Sequence, residues 1–291
     1  MPVASTDVLE IEYTDEGDGP AVLLLHGWPD CAVGWRPIAT SLVDAGFRVV
    51  VPSLRGSGGT TFRDRRTLRD GSAAALARDA LDLVDVLGIE RFHVVGHDWG
   101  ARTTYTLAIV TPDRLSSATA LSVAYQPHGR FSMPPTFREQ RLLWYQWLMY
   151  VDAGVHAITA DPVGFAREQW DTWSPAGWYD EADFATAAES FRNPDWVAIT
   201  LHAYRSRFRP EPVDPRYDDL RERVSRTERV TVPTLMIHGG ADGCDPPDAS
   251  EGLEGHFDTY RREVIPGAGH FPHREAPEAV LDAVLPHLTT T

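Results

Sequence analysis

The sequence predicts an α/β fold: a mostly parallel central sheet flanked by helices, with a helical cap inserted after the sixth strand. Two observations predict it. Short apolar runs, most of them closed by glycine or proline, alternate with stretches of helical period, which is the order of a parallel sheet covered on both faces. Between about Tyr125 and Pro215 that alternation stops, and this stretch holds six of the nine tryptophans. The expected division is a core of residues 1–124 and 216–291 and a cap of residues 125–215. A chain of 291 residues has room for both, at about 150 residues per domain.

The first clear element is Ala21–Leu25, a continuous apolar run of the kind buried on both faces. Arg48–Val51 follows and is closed by Pro52. Ala73–Leu87 has a helical period, with Leu76, Ala80, Leu83, Val84 and Leu87 on one face. Arg91–Val95 reads as the third strand, closed by Gly96, and a helix is expected over Ala101–Ile109. Ala118–Val123 is the next strand. After the cap, whose exit is marked by Pro210, Pro212 and Pro215, come Thr234–His238, ended by Gly239 and Gly240, and the weaker Tyr260–Ile265, ended by Pro266 and Gly267. Ligands bind at the chain ends of such strands, which is where the informative residues fall.

Composition narrows the function. Twenty-seven basic residues, all arginine, against 42 acidic give a net charge of −15. That charge repels phosphate backbones and anionic lipid, so nucleic acid and membrane surfaces are excluded as partners. Cys31 and Cys244 are too few for a disulfide framework or a four-thiolate zinc site, and read as reduced thiols. The acidic start, with Asp7, Glu10, Glu12, Asp15, Glu16 and Asp18 ahead of any apolar run, is the reverse of a signal peptide. No run approaches the roughly 18 apolar residues of a membrane span. A soluble, cytoplasmic protein is expected. No cluster has metal-ligand spacing, and Gly56-Ser57-Gly58-Gly59 lacks the pattern of a nucleotide loop, so neither metal nor cofactor is expected.

Four segments at strand ends carry the chemistry. Gly96-His97-Asp98-Trp99-Gly100 lies between an apolar strand and a helix. Flanking glycines of this kind let the chain turn sharply and present the central side chain, here Asp98. The plainer alternative makes Asp98 a helix cap. His26-Gly27-Trp28-Pro29 follows the first strand, Gly239-Gly240-Ala241-Asp242 the fifth, and Gly267-Ala268-Gly269-His270 the last, with Glu275 and Pro277 beyond.

These segments, in this order, resemble α/β-hydrolases with an aspartate nucleophile, most of all soluble epoxide hydrolases, over nearly the whole chain. The resemblance implies that Asp98 is the nucleophile, His270 the base and Asp242 its orienting acid, with Asp245 the alternative. It implies that the backbone amides of Trp28 and Trp99 form the oxyanion hole. Trp144-Tyr145-Gln146-Trp147 and His202-Ala203-Tyr204-Arg205 match the two cap segments whose tyrosines hold an epoxide oxygen, although both rings could instead be cap packing. The implied reaction converts a largely apolar epoxide and water to a vicinal diol through a covalent aspartyl ester, without a cofactor; a homodimer is compatible with it. Two further readings stand beside it: a haloalkane or haloacid dehalogenase using Asp98, with Trp99 and Trp147 as halide donors, and a non-catalytic binding member of the fold. Ser53 departs from the aspartate more usual in that family loop and is read as structural. His97 is read as a support of the turn, Asp30 as a solvated loop acid and His273 as a surface residue.

Overall fold

A computed structural model describes residues 1–290. Nine strands form one sheet: β1 (Val3–Ser5), β2 (Leu9–Glu16), β3 (Ala21–Leu25), β4 (Arg48–Pro52), β5 (Thr61–Phe62), β6 (Phe92–His97), β7 (Leu115–Leu121), β8 (Thr234–Gly239) and β9 (Tyr260–Ile265). The order is β1-β2-β4-β3-β6-β7-β8-β9, with β5 paired to β2. The six strands from β4 to β9 along this path run parallel, and β1, β2 and β5 add antiparallel pairs at one edge. The strand preceding the helical stretch is the sixth when the two-residue β5 is left out of the count and the seventh when it is included.

All six expected strands form, with ends shifted by up to three residues. The two N-terminal strands were not anticipated, because the density of acidic residues there masks a period of two. Leu9 and Ile11 are buried while Glu10 and Glu12 are only half-buried, as befits an antiparallel edge with one wet face. In β3 the same period sorts two apolar sets. Val22 and Leu24 pack with Trp35, Ile38 and Val284 in one core cluster; Leu23 and Leu25 pack with Leu76, Leu83 and Val94 in the other. Helices 36–44 and 277–289 cover the first face, and helices 73–86 and 99–110 the second. A strand with apolar neighbours on both sides has no polar position to alternate with, hence the unbroken run.

Between β7 and β8 the described chain is helical, with helices at Asp152–Ala160, Pro162–Trp173, Glu181–Phe191, Trp196–Arg205 and Asp218–Arg226. Part of its packing on the sheet's loops centres on one ring. Trp28, just past β3, has the rings of Tyr145, Phe165, Trp173, Trp196 and Tyr204 at centroid distances of 5.2 to 5.8 Å. No described helix is long and apolar enough to cross a membrane.

The loop after β4 is anchored by a buried ion pair. Arg55, with no side-chain exposure, donates from Nε and Nη2 to the two carboxylate oxygens of Asp79, both at 2.6 Å, and from Nη2 to the Tyr217 hydroxyl at 3.0 Å. Removing the carboxylate would strand a buried cation. Asp79→Ala is therefore expected to lose about 3–5 kcal/mol of unfolding free energy, measured by urea titration; a loss below 1 kcal/mol would mean that the pair is solvated.

Candidate active site

Asp98 closes β6 in a backbone conformation that side chains rarely adopt, with φ 50° and ψ −106°. Three glycines make room for it. A Cβ on Gly96 would lie 2.2 Å from the Gly100 carbonyl oxygen, one on Gly100 2.1 Å from that of Leu25, and one on Gly27 2.4 Å from the Cβ of Asp98. The glycines of the motif thus admit backbone where any side chain would collide. Asp98 stands at the cap position just before helix 99–110, yet its side chain makes no capping bond. Its Oδ1 instead accepts the Trp28 amide at 2.7 Å. The helix-cap alternative is thereby set aside. The Trp99 amide, expected to be the second donor, makes no bond to the carboxylate in this state. Burial raises the Asp98 pKa, but the His270 imidazole, helped by His97 and Arg102, more than reverses this and keeps the carboxyl ionised.

Facing it is His270, fully buried. Its Nδ1 donates to Oδ2 of Asp242 at 2.8 Å, and its Nε2 stands 3.8 Å from Oδ2 of Asp98 with no hydrogen-bond partner in the protein. Burial disfavours the charged ring, but Asp242 and Asp98 outweigh it and raise the His270 pKa to about 10. Asp242 is held as an acceptor by the amides of Cys244 (2.7 Å) and Asp245 (2.9 Å). Burial works against its charge, yet His270 and His238 hold its pKa well below the usual carboxylate range. Asp245, the alternative, makes no side-chain bond to His270; its backbone carbonyl takes the bond from His238 Nε2 at 2.7 Å.

The two tyrosines converge over this group. Tyr145 and Tyr204 are both buried, with ring centroids 5.3 Å apart and edge to face. Each hydroxyl oxygen accepts an N–H: Tyr204 from the Trp99 indole at 3.3 Å, Tyr145 from the Gln146 amide at 2.9 Å. An oxygen that accepts there leaves its own proton to be donated; the Tyr145 hydroxyl also lies 3.8 Å from the Cys244 sulfur. Burial first, and the Asp98 charge among other causes, push both phenols above their ordinary value, so both are neutral. Trp147 is not brought in. Its ring is 38% exposed and its indole bonds the Gln140 carbonyl at 3.3 Å, while the Trp99 indole is taken by Tyr204, so the two halide donors of a dehalogenase do not meet.

Several supports lay outside the sequence reading or against it. Asp30 is not a solvated acid and His273 is not at the surface; both are buried. Asp30 accepts from His273 Nε2 (2.8 Å), from Arg274 Nε and Nη2 (3.0 and 2.6 Å) and from the Cys31 amide (2.7 Å). With His97 they form a trio whose ligand atoms lie within 4.8 Å, which no spacing in the sequence announced; the Arg274 guanidinium on Asp30 already supplies the cation there. His97 Nε2 and Ser122 Oγ both donate to the His270 carbonyl at 2.7 Å, so the His97 side chain is spent on the loop of His270. Glu275 accepts the amides of Gly269 (2.6 Å) and Phe271 (2.8 Å) and the Ser174 hydroxyl (2.7 Å), holding the loop on either side of His270. Ser53 donates to Glu12 at 2.9 Å, and Glu12 also accepts the Gly59 amide at 2.8 Å, so a carboxylate from β2 ties this loop.

The chain is similar to known proteins along nearly its whole length. Residues 20–277 match the family model of the alpha/beta hydrolase fold. Among characterised relatives, Epoxide hydrolase B of Mycobacterium tuberculosis is 34% identical over 89% of this chain and 88% of its own. Epoxide hydrolase A of the same organism is 29% identical over 97% of this chain and 94% of its own. A crystal structure from Klebsiella pneumoniae, assigned as an epoxide hydrolase, superposes with a TM-score of 0.91 at 33% identity, covering 99% of this chain and 96% of that one.

The two carboxylates on either side of His270 set a measurable charge state. The imidazolium is expected to persist to about pH 10 in the free protein. In Asp98→Asn one of the flanking charges is gone, so its pKa should fall. A ¹⁵N NMR titration of the ring checks this; an unchanged midpoint would mean that Asp98 does not act on His270.

Proposed function

The chain belongs to the alpha/beta hydrolase fold family and is an epoxide-hydrolysing enzyme; on that premise we propose that the reaction runs through a covalent ester on Asp98. The observation that carries this reading is the division of labour on one carboxylate. Oδ1 lies on the Trp28 amide and Oδ2 faces His270, beneath two neutral phenols that are free to donate. Oδ2 attacks an epoxide carbon. The ring C–O bond breaks, and its oxygen takes a proton from Tyr145 or Tyr204, leaving a tyrosinate and a hydroxyalkyl ester. Burial keeps the phenols protonated until that oxygen becomes basic enough to take the proton.

Esterification changes the charge balance at His270. One of the two carboxylates that raise its pKa becomes neutral, so the imidazolium, left with Asp242 alone, passes its Nε2 proton to the tyrosinate and becomes available as a base. Nδ1–H on Asp242 holds that tautomer. His270 removes a proton from water, and the hydroxide attacks Cγ of Asp98. The charge forms on Oδ1, which already lies on the Trp28 amide; the Trp99 amide at the helix N-terminus completes the hole. Collapse breaks the acyl C–O bond. The diol alkoxide takes the His270 proton, and the acid proton of Asp98 passes to His270, restoring the imidazolium and the carboxylate. One oxygen of water therefore stays in Asp98, and the diol leaves with the former Oδ2. Residues 125–215 act as the cap, delivering both phenols, and the aromatic rings around Trp28 suit a largely apolar substrate.

His270→Gln should alkylate but not hydrolyse, so intact mass after exposure to an aryl epoxide should rise by the mass of the substrate. An unmodified protein that still forms diol would remove the ester from the pathway. Tyr145→Phe or Tyr204→Phe alone should slow alkylation, and the double variant should lose about 100- to 1,000-fold, the worth of a transition-state donor. Stopped-flow alkylation rates test this; a double variant at the wild-type rate would make both rings cap packing.

A further inference from the structure

Next to the site is a cavity of about 490 Å³ whose wall includes Trp99, Arg102, Arg130, Phe131 and Arg207. No aspartate or glutamate lines it. That is unexpected in a chain of net charge −15, and more so because the other deep arginines are paired: Arg55 with Asp79 and Arg274 with Asp30. Among the described residues Arg102 makes no ion pair, and its buried Nε has no hydrogen-bond partner. Arg207 has no carboxylate either. One Nη reaches the Gln146 side-chain oxygen at 3.4 Å, and the guanidinium lies 4.5 Å from the centre of the Tyr204 ring. Burial, and then the charge of Arg102, pull Arg207 down to about 10. Two like charges close enough to repel, on half-buried side chains, are costly unless an opposite charge offsets them; Asp98 acts in that sense on Arg207 from outside the cavity lining.

We propose that this cavity is an anion subsite in which Arg102 and Arg207 hold a carboxylate carried by the substrate, so that the preferred substrates are epoxy acids. The inference rests on the epoxide reading above and adds the substrate class. Geometry sets the reach: Trp99 lines the cavity and directly follows Asp98 in the chain, and the Arg207 guanidinium is stacked on the ring of Tyr204. The anion therefore lies beside the donors that take the ring oxygen, on a substrate whose acid and epoxide are close together. The Asp98 charge acts on both arginines' surroundings. It makes a dianion such as phosphate a poorer occupant than a monoanion, whose two oxygens also match a guanidinium fork. Leu76, Tyr105, Ile109 and Phe131 on the wall leave the remainder of the ligand apolar.

The test compares 3-phenyloxirane-2-carboxylate with its primary amide as substrates, and 3-phenylpropanoate with 3-phenylpropanamide as non-reacting ligands by calorimetry. In the wild type the acid should exceed the amide in kcat/KM and in affinity. A charged hydrogen bond is worth about 1.5–3 kcal/mol, so Arg102→Gln and Arg207→Gln should each cut that ratio by at least about tenfold, with Arg102→Lys restoring part of it. A wild-type ratio near one, or one unmoved by both variants, overturns the subsite. So does a parallel fall for acid and amide, which would give the arginines a role in Tyr204 acidity alone. If neither epoxide turns over, the epoxide reading fails, while the calorimetric ratio still decides the subsite.

Discussion

The site depends on a backbone that has to pass where no side chain fits. Asp98 sits at a positive φ with Gly27, Gly96 and Gly100 each within collision distance of a neighbouring main chain or Cβ. Such a conformation costs of order 1–3 kcal/mol and persists only where the surroundings over-determine it. Here the surroundings are β3, β6 and the start of helix 99–110, all buried in the parallel part of the sheet. What the strain provides is a carboxylate lifted clear of its own helix, with one oxygen on the Trp28 amide and the other toward His270.

Charge follows from that placement. His270 lies between two carboxylates, and the same neighbours that raise its pKa hold Asp98 and Asp242 ionised despite complete burial. The loop carrying His270 is fastened from three directions: by His97 and Ser122 at its carbonyl, by Ser174 at its amide and by Glu275 at the flanking amides. A base that waits for its charge to be released has to stay aligned meanwhile, and these bonds hold the ring where Asp242 can reach Nδ1.

Over the nucleophile the helical stretch contributes rings rather than charges. Trp28 is the hub on which Tyr145, Trp196 and Tyr204 converge, which brings two phenols about 60 residues apart in sequence to a centroid separation of 5.3 Å. The neighbouring cavity reverses this chemistry, with arginines and no acids. An apolar, electron-rich wall beside a cationic one sorts a substrate by its two ends.

The sequence by itself determined what is local. Apolar runs closed by glycine and proline marked the parallel strands, because a strand buried on both faces has no polar alternation. The glycines around Asp98 marked the turn, because only glycine allows such an approach. The order Asp98, Asp242, His270 was legible because each sits at the end of its strand. Only tertiary structure decided what depends on segments far apart in the chain. It paired Asp242 rather than Asp245 with His270, since both acids follow the same strand and orientation alone separates them. It buried Asp30 and His273 against Arg274, some 240 residues away from Asp30, where the sequence showed only loop polarity. It also left Arg102 and Arg207 facing one cavity that no described carboxylate lines. Arg102 lies on helix 99–110 and Arg207 in the turn after helix 196–205, about a hundred residues apart, so no spacing rule relates them, and their meeting at one cavity is a property of the packed molecule alone.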